Sequence, residues 1–217
     1  LALVDRGVGG TALGGSPFTV ANVTAQAGDL LCCYVVAFSD GVNALTVTPS
    51  VVWGPNAVTD SGFVDGYLNT RIILSYLSTL PITAANSGTQ TITVTDSDAF
   101  LSSVAIYTWT IQGVAAYKSS GDDIKDLVMS AGPIDCPITV ADANSFLVFY
   151  TFQGIETLDG AAYTAGATPI RSDYLPTDVP GRGSIATFQT AGSGAYRPGR
   201  VLRTPPRNYF AHAMAFK

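Results

Sequence analysis

Short runs of β-branched and aromatic residues, each closed by Gly, Pro, Asn, Asp or Ser, recur along the whole chain. About ten such runs can be counted by the rules for strands and turns, and this punctuation leaves little room for helices. Leu30 to Phe38 is apolar at every position but Tyr34 and the two cysteines, so it is expected to be a central strand covered on both faces. Thr91 to Thr95 reads TITVT, which sends Ile92 and Val94 inward and the threonines outward. In Leu101 to Ile111, Val104 and Ile106 alternate with Ala105, Tyr107 and Trp109. Phe18 to Thr24, Ala44 to Thr48, Arg71 to Ser78, Ile138 to Val140, Ser145 to Phe152, Ser184 to Thr190 and Tyr209 to Lys217 complete the strands. Only Gly121 to Met129 has the look of a helical turn or two, because Asp122 and Asp123 suit a helix start and Ile124, Leu127 and Val128 share a side.

Apolar residues make up 47% of the chain and charged residues 12%, so a large core is available and Thr, Ser, Gly and Asn do most of the solvating. The expected class is all-β, an antiparallel two-sheet β-sandwich that is jelly-roll-like, since long cross-connections fit that architecture better than an up-and-down barrel. Residues 1–16 read as a flexible Gly-rich amino-terminal arm. Residues 17–217 read as a single sandwich domain with long loops at 49–70 and 154–183. No apolar run approaches the roughly 20 residues that span a bilayer, so no membrane contact is expected.

Charge is distributed unevenly. From Arg171 onward seven cations oppose two acids, a balance of +5, whereas the preceding part sets four cations against fourteen acids, a balance of −10. Two parts of opposite sign attract, within the chain or between the chain and an acidic partner surface. Arg197, Arg200, Arg203 and Arg207 are the candidate partner-binding residues on this basis. An isoelectric point near 4.6 argues against a nucleic-acid partner. Cys32 and Cys33 are neighbours that point to opposite faces of a strand, and with Cys136 they read as buried free thiols rather than a disulfide framework.

Chemistry-bearing constellations are sparse. The single histidine, His212, lies inside the last strand, with no Gly-x-Ser-x-Gly elbow elsewhere, so no catalytic residue is assigned and the chain is read as not an enzyme. One His and three Cys without Cys-x-x-Cys spacing do not make a zinc set. Asp96, Asp98, Asp122 and Asp123 read as solvated turn acids rather than calcium ligands, and Glu156 has no evident carboxylate partner. No metal or cofactor is assigned. Aromatic stacking on a sugar is the alternative use of a β-sandwich surface; Trp53 and Tyr67, both in the 49–70 loop, are the candidate glycan-binding residues, while Tyr107 and Trp109 read as core.

Ala27-Gly28-Asp29-Leu30-Leu31, then Val47-Thr48-Pro49-Ser50 with Trp53, then Thr91 to Thr95, then Ala105 to Trp109 with Gly113, follow one another in that order. This succession resembles the jelly-roll structural proteins of tailed-phage virions, over roughly the first half of the chain. The resemblance implies a bacteriophage virion component, either a capsid decoration (cement) protein or the base of a fibre. It implies as partners the major capsid protein or neighbouring virion subunits, with a homo-oligomer, a trimer in many such proteins, on the capsid exterior after assembly in the host cytoplasm. A carbohydrate-binding or host-receptor-binding fibre domain is the alternative expectation.

Overall fold

The computed structural model describes residues 1–11, 17–39, 45, 49–68, 71–97, 101–113, 117–125, 133–154, 162–174, 181–201 and 208–217. All described regular structure is strand, and the strands pair antiparallel among the described residues. The chain divides into two compact units, Leu1–Asp65 with Thr70–Ala116 and Pro176–Val179, and Gly66–Asn69 with Tyr117–Leu175 and Pro180–Lys217. Residues 17–217, expected as one sandwich, are distributed over both.

Among the described residues eight strands belong to the first unit, β5 for all but its last residues: β1 (Ala2–Thr11), β2 (Phe18–Ala25), β3 (Asp29–Ser39), β4 (Ser50–Trp53), β5 (Asn56–Leu68), β6 (Arg71–Pro81), β7 (Gly88–Thr95) and β8 (Leu101–Gln112). β1 pairs with β8, β2 with β7, β3 with β6 and β4 with β5. That is one long antiparallel ribbon, its first four strands laid back along its last four. Further pairing of β3 with β8 and of β4 with β7 rolls the ribbon into the order β1-β8-β3-β6-β5-β4-β7-β2. An eight-stranded ribbon rolled up in this way is the jelly roll expected from the sequence.

The roll is filled from both of its sides. Leu31, Cys33, Val35 and Ala37 of β3, Tyr76 of β6, and Val104 and Ile106 of β8 share one core with Phe18, Val20 and Val23 of β2, Val51 and Trp53 of β4, and Ile92 and Val94 of β7. Ile92 and Val94 point inward and Thr91 and Thr95 outward, as the alternation requires. All eleven residues of β3 are buried, so it has the two-sided cover expected of it. Cys33 lies in the core described above, and Cys32 is equally buried on the opposite face; both are free, as is buried Cys136.

Two expectations for this unit need correction. Residues 1–16 contain β1, which pairs with β8 over nearly its whole length, because main-chain pairing does not depend on the side chains that glycine lacks. β1 also runs close to β2: a Cβ on Gly9 would fall 2.7 Å from the Thr19 carbonyl oxygen and 2.9 Å from a Val20 methyl. The 49–70 segment contains β4 and β5 rather than a loop, joined at Gly54-Pro55 with Trp53 opposite Asn56. Gly54 has φ 56° at the first turn position, where a two-residue hairpin demands glycine, and the fixed φ of proline suits the second. The strand expected over Ala44 to Thr48 lies outside the described residues apart from Leu45, which is buried.

The second unit contains β9 (Tyr117–Lys125), β10 (Pro133–Asp135), β11 (Ile138–Val140), β12 (Phe146–Gly154), β13 (Ala162–Tyr163), β14 (Thr168–Tyr174), β15 (Gly181–Gln189), β16 (Gly194–Tyr196), β17 (Gly199–Val201) and β18 (Asn208–Phe216). Its main sheet has the order β14-β15-β12-β18-β9, beside a β10-β17-β13 sheet and a β11-β16 pair. The alanines of β18 provide a flat surface on one of its faces: Ala211, Ala213 and Ala215 pack with Leu147, Phe149, Ala186, Ile138, Val140 and Cys136. Gly121 to Lys125, expected as the start of a helical turn, is strand, since pairing with β18 prevails over a weak local signal; residues 126–129 lie outside the described residues. Within 154–183, expected as loop, β13 and β14 are also strands, and β14 keeps a bulge between Pro169 and Arg171.

The close approach of β1 to β2 makes a measurable demand. Gly9→Ala is expected to lower unfolding free energy by about 1–3 kcal/mol, the usual cost of overpacking. Gly192→Ala, where an added Cβ meets nothing within 4 Å, is expected to change it by less than about 0.5 kcal/mol. Urea unfolding of the two variants beside the wild type checks the contrast.

Candidate functional site

The arginines singled out in the sequence begin at the short connection from β16 to β17, where Arg197 is exposed. The backbone beneath it is held at several points. Tyr196 donates its hydroxyl to the Gly192 carbonyl at 2.8 Å, accepts from the Gly192 amide at 3.1 Å, and sets its ring 5.9 Å from that of Phe188. The Cys136 amide donates to the Pro198 carbonyl at 3.0 Å. Thr164 clasps Gly199 from both directions: its hydroxyl accepts from the Gly199 amide at 2.8 Å, and its own amide donates to the Gly199 carbonyl at 2.9 Å. A charged side chain on so constrained a main chain meets a partner with little ordering of its support.

Arg200 lies in β17, the middle strand of its small sheet, opposite Ile134 on one side and Tyr163 on the other. Arg203 and Arg207 lie outside the described residues. Lys217, the last cation of the basic stretch, forms a 2.9 Å ion pair with Asp142. Both groups are substantially exposed, so the pair adds little stability, but it shows one intramolecular use of the opposed charges. Arg6 has a structural role that the sequence did not show, because it fell in the supposed arm. It donates from Nε to the Thr110 hydroxyl at 3.0 Å and lies 3.9 Å from the buried Asp29 carboxylate, tying β1 to β8 and to the β2–β3 turn.

Trp53, expected as a glycan-stacking residue, is a core residue with no exposed surface, and its indole N–H donates to the Val23 carbonyl at 3.2 Å. The tight turn at Gly54-Pro55 puts Trp53 at the end of β4 with its ring facing the inside of the roll, so it offers no face to a sugar. Tyr67 belongs to β5 by its backbone, and its side chain lies outside the described ones. Tyr107 and Trp109 are buried as expected, and Trp109 approaches Tyr34 at 6.2 Å between ring centres.

His212 sits in β18, opposite Tyr150 of β12 and Asp122 of β9, and is buried. Burial pushes its imidazole down to about 3, so it is neutral across the ordinary pH range. Burial likewise raises the Cys33 thiol and, with help from the neighbouring thiol, the Cys32 thiol, which keeps both protonated and poorly nucleophilic. Of the acids weighed for calcium, Asp96 is buried, Asp122 and Asp123 belong to β9, and Asp98 lies outside the described residues, as does Glu156. Among the described residues no three His, Cys, Asp or Glu side chains gather to hold a metal ion. No helix among them is long and apolar enough to cross a membrane. Comparison with family models, with curated proteins and with solved structures finds no match for the chain.

Two outcomes follow from these placements. Trp53→Ala is expected to lower unfolding free energy by about 3–5 kcal/mol, as for other large-to-small core changes. A variant that kept wild-type stability while losing glycan-array binding would restore Trp53 as a surface residue. For His212, the unfolded chain takes up a proton near the ordinary value of 6.5 and the folded chain only near 3. Stability is therefore full above 6.5 and falls as pH drops through that window, by up to about 1.4 kcal/mol per pH unit from this group. Urea unfolding between pH 6.5 and 5, above the range of most carboxylates, is expected to show a shallower decline in His212→Gln than in the wild type.

Proposed function

We propose that the chain is a non-catalytic structural protein of a bacteriophage virion, a capsid decoration protein that grips the major capsid protein or neighbouring virion subunits through its arginine-bearing carboxy-terminal stretch. The observation that carries this reading is the display of Arg197 on a pinned β16–β17 connection, within a stretch whose balance is +5 in a chain otherwise at −10. A cation held on rigid backbone recognises an acidic surface through long-range attraction and a fixed docking geometry. The jelly-roll strand order supports the reading as an architecture that capsid proteins use, although the same fold also serves lectins and enzymes. Three buried free cysteines are compatible with assembly in a reducing cytoplasm. The alternative of a carbohydrate-binding or receptor-binding fibre domain has lost Trp53 to the core, which leaves Tyr67 as its remaining candidate.

Co-sedimentation of the purified chain with virions from its host tests the proposal. Binding is expected to weaken as salt rises from about 0.1 M to 1 M, over which the screening length falls from about 10 to 3 Å. Replacement of Arg197, Arg200 and Arg203 by Gln together is expected to weaken binding at low salt and to flatten that dependence. Attachment that is indifferent to both salt and substitution would remove the arginines from the interface.

A further inference from the structure

Asparagine is chemically labile where a small residue follows it, because the main-chain nitrogen of that residue can reach the carboxamide carbon. Asn86 and Asn144 both precede serine, and the structure treats them differently. The carboxamide of Asn86 is held: its Oδ1 accepts from the Thr83 amide at 2.6 Å and from the Thr83 hydroxyl at 3.1 Å, and its Nδ2 donates to the Pro81 carbonyl at 3.5 Å. Asn144 lies in the turn before β12 with φ 59°, and its side chain is exposed. Among the described residues neither its carboxamide nor the Ser145 amide N–H has a hydrogen-bond partner. Of the other described asparagines, Asn22 and Asn208 precede bulky Val23 and Tyr209, and Asn56 donates its Nδ2 to the Trp53 carbonyl at 3.2 Å.

The main chain around Asn144 is fixed while its side chain is not. Gln189 donates its Nε2 to the Asn144 carbonyl at 2.6 Å and to the Ser145 carbonyl at 3.1 Å. Thr190 adds its amide at 3.0 Å and its hydroxyl at 3.1 Å to the same Ser145 carbonyl, and the Ser145 hydroxyl donates to the Asp142 carbonyl at 2.9 Å. Turning the Asn144 carboxamide toward the Ser145 nitrogen therefore costs no hydrogen bond, whereas the same movement at Asn86 must first break those to Thr83 and Pro81.

We propose that Asn144 is the site at which this chain deamidates spontaneously, with water as the only co-reactant. The Ser145 nitrogen gives its proton to solvent and bonds to the Asn144 Cγ. The Cγ–Nδ2 bond breaks, and Nδ2 leaves as ammonia with a proton taken from solvent. Water then opens the cyclic imide on either side, giving aspartate or isoaspartate. Either product adds a negative charge two residues from Asp142, the partner of Lys217. Isoaspartate also lengthens the main chain by one carbon just ahead of Ser145, whose carbonyl Gln189 and Thr190 hold and whose neighbour Phe146 pairs with Gln189 and Phe216. The inference concerns the chain alone and holds whether or not it attaches to a capsid.

Peptide mapping by mass spectrometry tests it on the full chain incubated at mildly alkaline pH, with isoaspartate told from aspartate by fragmentation. In the folded chain the peptide containing Asn144 is expected to convert about tenfold faster than the one containing Asn86, the order set by opening two hydrogen bonds first. Isoaspartate is expected among the products. In urea, where both Asn-Ser pairs are unstructured, the two rates are expected to converge. An Asn144 that stays unmodified, aspartate as the sole product, an Asn86 that reacts as fast in the folded chain, or a difference that persists in urea would each overturn the assignment.

Discussion

The structure of the first unit depends on β3, a strand with no exposed residue that pairs with β6 on one side and β8 on the other. A strand apolar on both faces contributes much burial but little register information, because a one-residue slip exchanges one apolar set for another. Its position is specified at its ends instead. Asp29 accepts the Gln26 amide at 3.0 Å, and the Asp29 amide returns a bond of 3.0 Å to the Gln26 carbonyl, closing the turn from β2. Gly28 and Asp29 also exchange bonds of 2.8 Å with Ile82, which locks the same turn to the end of β6. Polar residues at a turn therefore set the register of the most apolar strand in the unit.

The same economy governs where recognition can occur. Trp53, Trp109, Tyr34, Tyr76, Tyr107 and Tyr150 are all essentially buried, so these six rings are committed to packing. The described outward positions of β7 and its neighbours are mostly threonine, serine and alanine, which hydrogen-bond water and each other, as Thr24 and Thr89 do at 2.8 Å. Such a surface is solvated but offers few strong anchors. With charged residues at 12% of the chain, specificity rests on where those few charges stand and how firmly they are held.

Much of the strand pattern was legible because it is local: Ile92 and Val94 and the alanines of β18 fall where period-two alternation puts them, and β3 is buried on both faces as its unbroken apolar run requires. What escaped was structure decided by a distant partner. The glycines of β1 read as an arm because they carry no pattern, yet β8 supplies the pairing and β2 the reason for Gly9. Trp53-Gly54-Pro55 read as loop because glycine and proline mark turns, and the turn is there; its tightness is what continues the strands on either side and directs Trp53 inward. Asp122 and Asp123 suggested a helix start, a preference too weak to resist a neighbouring strand. Of the candidate site, Arg197 was legible from charge alone, whereas the clasp of Thr164 on Gly199 that steadies it joins residues 35 apart.

For the partner binding proposed above, that separation bears on how a charge-poor chain would gain selectivity. An arginine on a loose tail would be drawn to any acidic surface and would lose side-chain and main-chain freedom on each encounter. Placing Arg197 between Tyr196, bonded to Gly192, and Pro198, whose carbonyl is taken by Cys136, removes most of the main-chain part of that loss before a partner arrives. The remaining discrimination then comes from geometry, since a surface that matches the charge but not the contour of the β16–β17 connection gains attraction without close contact. Stiff backbone and few charges are thus complementary devices: the second reduces the number of attractive wrong encounters, and the first raises the advantage of the right one.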